Sequence, residues 1–566
     1  MADEFDVIVV GSGMSGGWAA KELCERGLKV LVLERGRHIE HRGPEYSDML
    51  QPWERKNYDL IPEDFLERPE MATVAYALTP DNLKWFTKRE DVPYTTAEGK
   101  PFTWVRAHNL GGRSLLWSRQ TYRMGDHDFR ANAEDGHGVP WPIGYDDLKP
   151  WYDHVDRFAG IAGSQEGLPQ VPDGQFQKPF GFTAVEKHLK TEIEKAFPNR
   201  NVIHGRCAHL TEPTEEQEAL GRVVCQQRKL CSRGCSFGGY FSSLSATLPA
   251  AEKTGNLTIV TDAIVSSLEY DDKAEKVTGV RVIDANTKAG STYRAKAVFL
   301  CASTFGSLQV LFNSTSEAMP EGLGNTHDVL GRYITDHIVG GGASGNFTQF
   351  DDRYYEGRRP TGFYIPRFRN VTEPGDGYVR GGGFQSGSQR QGIEVYENQP
   401  GFGAANKHAG RTPGKWVANL GGFGEMLPRW ENRMSLNAKE KDKWGIPLVH
   451  FDVGISDNER AMSKQLGDDA VAMLEAAGAV NIKRKEFVHI PGERIHEMGG
   501  APMGDDPTKS VTNKYNQLHV AKNVFVTDGS CFPSGGCQNP SISYMAMTAR
   551  AANNAAEMLK EGLFSA

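Results

Sequence analysis

The sequence has 566 residues, a formal net charge of -8, and 39% hydrophobic and 24% charged residues, a composition typical of soluble globular enzymes. This length predicts at least two domains, because a single hydrophobic core stops growing well before it. The acidic balance argues against nucleic-acid binding, which needs a basic surface, and no apolar run is long enough to predict a membrane span.

The first residues and the cysteine content bear on the compartment. Asp3, Glu4 and Asp6 stand where the basic start of an export signal would be, so we expect no signal in the chain itself. Eight cysteines are too few to predict a disulfide framework, and grouped thiols are therefore candidate metal ligands.

The N-terminal residues predict a dinucleotide-binding unit. Residues 5–10 (FDVIVV) are apolar and β-branched, as in a strand buried on both faces. Residues 11–16 (GSGMSG) follow, then a helical pattern, then a second strand over 29–33 that ends in Glu34. This is the order that a mononucleotide-binding fold requires, and it disfavours a chance glycine-rich turn.

Each part of this unit has a physical role in binding a dinucleotide. We expect Gly11 to permit the tight turn, Gly13 to let the backbone approach the pyrophosphate, and Gly16 to let helix and strand pack closely. The helix N-terminus presents unpaired N–H groups to the phosphates. Glu34 is expected to accept hydrogen bonds from the adenosine ribose.

Two later segments favour FAD over NAD. Residues 256–301 are rich in β-branched patterns and end in a buried strand and a small-residue turn, which suits a return of the chain to the nucleotide-binding sheet. Near the C-terminus another strand ends at Asp528, which we expect to hold the ribityl or pyrophosphate region of a flavin.

A group of cysteines follows the spacing C-x5-C-x3-C, with Cys225, Cys231 and Cys235 in a polar segment. Grouped thiolates repel one another unless a metal neutralises them, and Arg228, Lys229 and Arg233 would add positive charge. An iron–sulfur cluster, for which cysteine is the usual ligand, is one interpretation. One alternative is zinc, with a further ligand from the upstream candidates His204, Cys207 or His209. The other is that the segment holds three reduced thiols, or a disulfide plus a spare thiol. Cys24 and Cys301 are expected in buried elements, and a Cys531–Cys537 disulfide is not favoured.

The middle of the chain is less informative. Short alternating segments between about 311 and 490 predict an antiparallel sheet with one face open to a cavity, where aromatic and polar residues would suit a sugar. Residues 45–100 are expected to wrap the surface, and the Gly- and Arg-rich stretch 370–415 is interpreted as a mobile lid.

Several motifs in order resemble the glucose-methanol-choline (GMC) oxidoreductases over nearly the whole chain. Beside the N-terminal unit, the residues that carry the resemblance are HNLGGRSLLW (108–117), WPIGYDDLKPWYD (141–153), the block 256–306, HEMGGAPMG (496–504) and GGCQNPS (535–541).

The resemblance implies an α/β fold similar to p-hydroxybenzoate hydroxylase. It would combine a discontinuous Rossmann-like FAD-binding domain with a substrate domain built on an antiparallel β-sheet with helices. The expected FAD-binding domain comprises 1–45, 100–165, 205–310 and 490–566 and carries the cysteine group. Residues 46–99, 166–204 and 311–489 are expected to form the substrate-binding domain and surface segments.

The resemblance also assigns site residues. His496 is expected to be the base that takes the hydroxyl proton, since histidine suits this task near neutral pH, and Asn539 its hydrogen-bonding partner. His489 is a minor candidate, and Glu425 is expected either to face the site or to be buried and satisfied by backbone. Residues expected to bind FAD are Gly11, Gly13, Ser15, Gly16, Glu34, Arg35, Gly111, Gly112, Ser114, Leu116, Val265, Asp528, Gly529, Asn539 and Pro540. Leu116 stands where some relatives carry a flavin-linking histidine, which predicts non-covalent FAD.

The cysteine spacing resembles that of flavoprotein subunits of bacterial sugar dehydrogenases, in which three cysteines hold a [3Fe-4S] cluster. The resemblance thus implies a dehydrogenase that oxidises a sugar or glycoside hydroxyl, with glucoside 3-dehydrogenase as the best match, and passes electrons from FAD through the cluster to a cytochrome c. It also implies a small partner subunit with a twin-Arg signal and a periplasmic location, against a cytoplasmic alternative. The competing functions are a sugar oxidase that uses O2 and a non-catalytic electron-transfer flavoprotein.

Overall fold

The computed structural model describes residues 5–55, 82–338, 341–353, 357, 362–391, 402–409, 411, 413–485 and 490–564. The strands are, in chain order, β1 Phe5–Val10, β2 Val30–Leu33, β3 Tyr94–Thr96, β4 Ile203–His204, β5 Leu257–Val260, β6 Ala263–Asp271, β7 Lys276–Asp284, β8 Gly290–Tyr293, β9 Ala295–Leu300, β10 Arg332–Thr335, β11 His337–Ile338, β12 Gly342–Phe347, β13 Phe363–Ile365, β14 Gly382–Arg390, β15 Trp416–Glu425, β16 Arg433–Lys441, β17 Pro447–Asp452, β18 Val480–Lys485, β19 Met498–Gly500 and β20 Val524–Val526. The helices are α1 Met14–Glu25, α2 Asp126–Asp135, α3 Tyr145–Ala159, α4 Ala184–Ala196, α5 Glu215–Ala219, α6 Thr247–Glu252, α7 Thr304–Asn313, α8 Ala404–Ala409, α9 Asp457–Ala476 and α10 Ser541–Lys560.

A five-stranded parallel sheet in the order β20-β9-β1-β2-β5 forms the nucleotide-binding core. Its central strands are buried on both faces because alternate residues enter different hydrophobic clusters: Ile8 and Val10 one, Val7 and Val9 the other. This explains why the first strand is an uninterrupted apolar run rather than an alternating one. α1 packs against α6 and α10, and α10 also packs against α3.

The second large sheet of the fold has seven strands. Its order is β18-β12-β15-β14-β13-β4, with β11 paired to the end of β15, and all of these pairs are antiparallel. α4 and α9 pack on this sheet. The separate pair β10–β19 brings the segment after residue 490 beside the end of β10. The predicted α/β fold class, with one parallel and one large antiparallel sheet, is confirmed. The domain boundaries stay a prediction.

The lid expected over 370–415 is wrong for its central part. Residues 382–390 form β14, which is hydrogen-bonded on both sides within the large sheet. Glycine there serves packing rather than flexibility: a Cβ on Gly383 would lie 2.5 Å from the Tyr364 hydroxyl. Residues 392–401, 410 and 412 of that segment, and 56–81 of the expected surface wrap, lie outside the described residues.

The described helices include none that is both long enough and apolar enough to cross a membrane.

Candidate active site

The glycine turn after β1 has the shape that a dinucleotide pyrophosphate requires. Gly11 has φ +94°, and a Cβ on it would lie 2.6 Å from the Cys301 carbonyl oxygen. A Cβ on Gly16 would lie 1.8 Å from the Gly11 oxygen, so this glycine permits the close approach of α1 to the turn. A Cβ on Gly13 would meet no atom of the described residues within 4 Å, because this residue faces the cavity at the start of α1. These three environments are those that a pyrophosphate-binding turn requires, and the binding roles of the glycines stay a prediction.

Glu34 is held rigidly at the end of β2. Its carboxylate accepts hydrogen bonds from the Ser12 backbone N–H at 3.0 Å, the Ser12 hydroxyl at 2.5 Å and the Gly36 N–H at 2.8 Å. Burial raises the pKa of the Glu34 carboxyl, and these hydrogen bonds oppose the shift. The next residue, Arg35, is half-buried at the cavity wall; its guanidinium lies 3.5 Å from the Asp442 carboxylate, and its Nε has no hydrogen-bond partner among the described residues. A ribose and an adjacent base would meet a carboxylate and a guanidinium here.

The loop predicted to contact the flavin packs directly on the glycine turn. A Cβ on Gly112 would lie 3.5 Å from the Gly13 Cα, and the Gly111 N–H donates to the Ser12 hydroxyl at 2.9 Å. Ser114 donates to the Gly111 carbonyl at 2.5 Å and accepts from the Ser243 N–H at 3.0 Å. The Ser114 hydroxyl is therefore committed to protein groups, and its part in cofactor binding is to shape the loop.

Asp528 follows β20, as the sequence predicted, and faces the same cavity. One carboxylate oxygen accepts from the Ser307 hydroxyl at 2.5 Å, and the other accepts from the Ser530 N–H and hydroxyl at 3.0 and 2.6 Å. Burial raises the pKa of Asp528. The carboxylate is thereby fixed in orientation beside the middle of the crevice.

One cavity joins all of these elements to the predicted His–Asn pair. Its wall includes almost every residue predicted to bind FAD or to act in catalysis, namely Gly11, Gly13, Ser15, Glu34, Arg35, Gly112, Ser114, Leu116, Val265, His496, Asp528, Gly529, Asn539 and Pro540. Gly16 and Gly111 are not part of the wall and act behind it. The residues present therefore fit a long dinucleotide cofactor with one end at Glu34 and the other at His496.

At the far end of the cavity, three side chains converge. The His496 Nε2 lies 3.4 Å from the Asn539 Nδ2, and the His496 Nδ1 lies 3.1 Å from the His337 Nδ1. Burial holds the pKa of His496 well below its usual value, and His337 and Arg113 act in the same direction. Burial likewise lowers the pKa of His337 to about 4. Both imidazoles are thus neutral, and a neutral imidazole is the form that can accept a proton.

The segment that carries His496 is fixed by a buried carboxylate. Asp336 accepts backbone N–H bonds from Gly492 at 2.9 Å, His496 at 3.2 Å and His337 at 2.7 Å. Burial raises the pKa of Asp336 to about 7, and the nearby Glu497 adds to the shift. Glu497 itself pairs with Arg113, whose guanidinium nitrogen lies 2.9 Å from the carboxylate.

The sequence did not identify several of these side chains. His337, Asp336 and Arg113 reach the site through tertiary contacts, as does Gln385, whose Nε2 donates to the Asn539 Oδ1 at 2.6 Å. The signal available for the first two was a polar Asp-His pair inside an otherwise apolar strand pattern.

Two minor candidates have different outcomes. Glu425 is buried at the end of β15 and forms an ion pair with Arg380, so its partner is a side chain rather than backbone, and it is not part of the cavity wall. His489 lies outside the described residues.

The cysteine group lies on a loop near the active site but does not form a metal centre here. Cys225, Cys231 and Cys235 are half-buried free thiols; burial raises the pKa of Cys225 to about 11, and the other two thiols add to this effect. In the described part of the chain, no three His, Cys, Asp or Glu side chains are grouped so that they could hold a metal ion. His204 stacks on Phe182 instead, with ring centroids 4.0 Å apart. Cys24, Cys301, Cys531 and Cys537 are buried free thiols.

A second, polar cavity opens beside this loop on the large sheet. Gln120 lines both cavities, so the outer one leads toward the His496–Asn539 pair. Its wall combines amide, hydroxyl and charged groups with aromatic rings, including Gln385, Ser388, Asn419, Glu186, Phe180 and Trp416.

A cofactor crevice with a histidine and an amide at one end defines a dinucleotide-dependent oxidoreductase. The chain belongs to the GMC oxidoreductase family, which its sequence matches over residues 5–339 and 428–548, and its cofactor is FAD. It is 28% identical to 2-methyl-1,2-propanediol dehydrogenase of Mycolicibacterium austroafricanum (97% of this chain, 95% of the relative). It is 25% identical to the fructose dehydrogenase large subunit of Gluconobacter japonicus (98% of both chains). The fold is similar to that of formate oxidase from Aspergillus oryzae RIB40, with a TM-score of 0.60, 13% identity and 99% of both chains covered. The predicted family and enzyme class are confirmed.

Proposed function

We propose that this protein is a dehydrogenase that oxidises a hydroxyl of a sugar or glycoside to a carbonyl, with the 3-hydroxyl of a glucoside as the best candidate. The observation that carries the proposal is the neutral, half-buried His496 imidazole beside the Asn539 amide, at the end of the cofactor crevice opposite Glu34. His496 Nε2 takes the hydroxyl proton, and the Asn539 Nδ2 donates a hydrogen bond to the substrate oxygen. FAD, when bound, supplies the acceptor for the hydride that leaves the carbon.

The outer cavity supports a substrate with several hydroxyl groups. Amides and hydroxyls at Gln120, Gln385, Ser388 and Asn419 offer both donors and acceptors. Phe180, Phe182 and Trp416 of the same wall are aromatic. A relative is named as a fructose dehydrogenase subunit and another as a diol dehydrogenase, which supports a polyol-like substrate.

The substrate is tested by anaerobic reduction of the flavin with a panel of glycosides, free sugars and short diols, followed by NMR of the product. The proposal expects rapid bleaching by glycosides and a 3-keto product. Bleaching by short diols alone would contradict the sugar assignment. No bleaching by any alcohol would favour the alternative of a non-catalytic electron-transfer flavoprotein.

We propose further that FAD is bound without a covalent link. The support is the apolar side chain of Leu116, which lines the crevice where some relatives carry a linking histidine. Acid precipitation is expected to release all of the flavin into the supernatant; flavin that stays with the protein pellet would contradict this.

The third part of the proposal is that the Cys225–Cys231–Cys235 loop takes up a [3Fe-4S] cluster and that a cytochrome c is the final acceptor. The support is the C-x5-C-x3-C spacing in a polar segment that also carries Arg228, Lys229 and Arg233. Iron analysis and EPR of anaerobically purified protein test it, with Cys231→Ser as the variant that should lose the signal. Iron-free protein that produces peroxide rapidly would instead favour a sugar oxidase.

A partner subunit and a periplasmic location complete the proposal. The naming of relatives as a large subunit and as a gluconate dehydrogenase flavoprotein supports a multi-subunit enzyme. The test is co-purification from the native cell, with sequencing of the small partner for a twin-Arg signal and fractionation of the activity. Activity confined to the cytoplasm with no partner would contradict it.

A further inference from the structure

We propose that His337 is a positioning residue that fixes the tautomer of His496, so that the lone pair of His496 always lies on Nε2. The proposal rests on the proposed role of His496 as the base. It concerns a residue that never needs to touch the substrate, because its contact is with the opposite nitrogen of the His496 ring.

The direction of the hydrogen bonds is decided at the Gly536 carbonyl. The His337 Nε2 lies 3.0 Å from this oxygen, which can only accept, so His337 must carry its proton on Nε2. Since His337 is neutral, its Nδ1 then has a lone pair. The His496 Nδ1, 3.1 Å away, must donate to it, which leaves the His496 Nε2 as an acceptor.

The hydrogen bonds on the other side of His496 run in the same direction. The Tyr122 hydroxyl donates to the Gln120 Oε1 at 2.9 Å, and the Gln120 Nε2 donates to the Gln385 Oε1 at 2.7 Å. The Gln385 Nε2 donates to the Asn539 Oδ1 at 2.6 Å. This orients the Asn539 amide so that its Nδ2 faces the His496 Nε2 lone pair. If every hydrogen bond of this series ran the other way, the His337 Nε2 would carry a lone pair. That lone pair would face the Gly536 carbonyl oxygen, so two acceptors would meet.

His337 is placed so that this geometry is rigid. It is fully buried, its backbone is paired with Glu425 at the end of β15, and its own N–H donates to Asp336 at 2.7 Å. The Phe423 ring lies 5.8 Å from the His337 ring and 5.7 Å from the His496 ring, which excludes competing donors on that side. Among the described residues, the charged groups around the two rings are Asp336, Arg113, Arg494 and Glu497.

Three substitutions separate positioning from packing. In His337→Asn, the side-chain amide occupies the place of Nδ1 and its oxygen can still accept from His496. His337→Gln places its amide near the position of Nε2 and keeps only the bond to Gly536, and His337→Phe keeps only the ring volume. All three are compared with wild type for FAD content, thermal unfolding, and the rate and substrate dependence of anaerobic flavin reduction.

We expect kcat for flavin reduction to fall about ten- to a hundredfold in His337→Gln and His337→Phe, and KM and FAD content to stay near wild type. His337→Asn should recover most of the loss. The proposal is overturned if His337→Phe reduces flavin at the wild-type rate, or if the rates follow thermal stability rather than the presence of an acceptor. His496→Gln in the same assay separates the two ideas, because an active His496→Gln would refute the base itself, whereas an inactive one with active His337→Phe would refute only the positioning.

Discussion

At the adenosine end of the crevice, Gly11, Gly13 and Glu34 come from one strand–helix–strand unit, in which the glycines act through backbone geometry and Glu34 through its carboxylate. At the reacting end, His496, Asn539 and His337 come from three distant segments and act through side-chain atoms. The first end should govern how tightly FAD is held and the second how fast it is reduced. Substitutions at the two ends should therefore change different measurements.

The largest expected effect is at the reacting end. His496→Gln removes the group that accepts the hydroxyl proton, so we expect flavin reduction to slow by about a thousandfold. FAD content should stay near wild type, because the glycine turn and Glu34 at the other end of the crevice are unchanged. His519→Gln is the matched control: this ring is half-exposed and hydrogen-bonded to Ser510, away from the cavity, and the variant should reduce flavin normally. A His496→Gln protein that loses FAD instead of activity would contradict the assignment of FAD retention to the adenosine end and of flavin reduction to the reacting end.

The two ends should also differ in the sign of their pH dependence. His337 has a folded-state pKa of about 4, below the usual 6.5, so the unfolded chain binds more protons between these values. Its contribution to stability is therefore lost as pH falls from 6.5 to 4, by up to about 3 kcal/mol. Burial raises the pKa of Glu34, so the folded chain binds more protons at this group than the unfolded chain does. The contribution of Glu34 to the free energy of unfolding therefore falls as pH rises above the pKa of the unfolded state.

Urea unfolding of wild type, His337→Asn and Glu34→Gln across pH 4 to 7, with FAD in fixed excess, measures this difference. His337→Asn should flatten the acid loss of stability, and Glu34→Gln should gain stability relative to wild type as pH rises. Identical pH slopes in both variants and wild type would contradict the buried neutral state of either group.

A third prediction isolates cofactor binding at the adenosine end. In Gly13→Ala, the added methyl group projects from a residue of the cavity wall and, in the part of the chain that the structure describes, meets no atom within 4 Å. The fold should therefore be unaffected while the pyrophosphate is pushed away. We expect FAD affinity to fall about ten- to a hundredfold, with a near-normal rate at saturating FAD. Gly290→Ala, also without a neighbour for its Cβ but in the exposed strand β8, is the control. Equal FAD affinity in both variants would show that the cofactor does not pass Gly13.

These two ends also differ in what the sequence could predict. The turn, the helix and Glu34 follow from local spacing, because every residue of that unit is close to its partner along the chain. His496 and Asn539 were predicted because each lies in a recognisable motif. His337 and Gln385 were missed because their contacts depend on the registers of β11 and β14 in the large sheet, and a glycine- and serine-rich strand such as β14 has the composition of a loop.

The smallest expected effect is at Glu34 itself. Glu34→Gln keeps the side-chain length but leaves one acceptor oxygen, so the amide can accept from Ser12 or from Gly36 but not from both, as the two carboxylate oxygens do. One ribose hydrogen bond to a charged acceptor is replaced by a weaker one, so FAD affinity should fall about tenfold, measured by equilibrium titration of the flavin-free protein. The rate of flavin reduction at saturating FAD should equal that of wild type, because no group near His496 changes. A slower rate at full occupancy would mean that the two ends are coupled through the cofactor's position, and the separation between holding and reducing FAD would have to be abandoned.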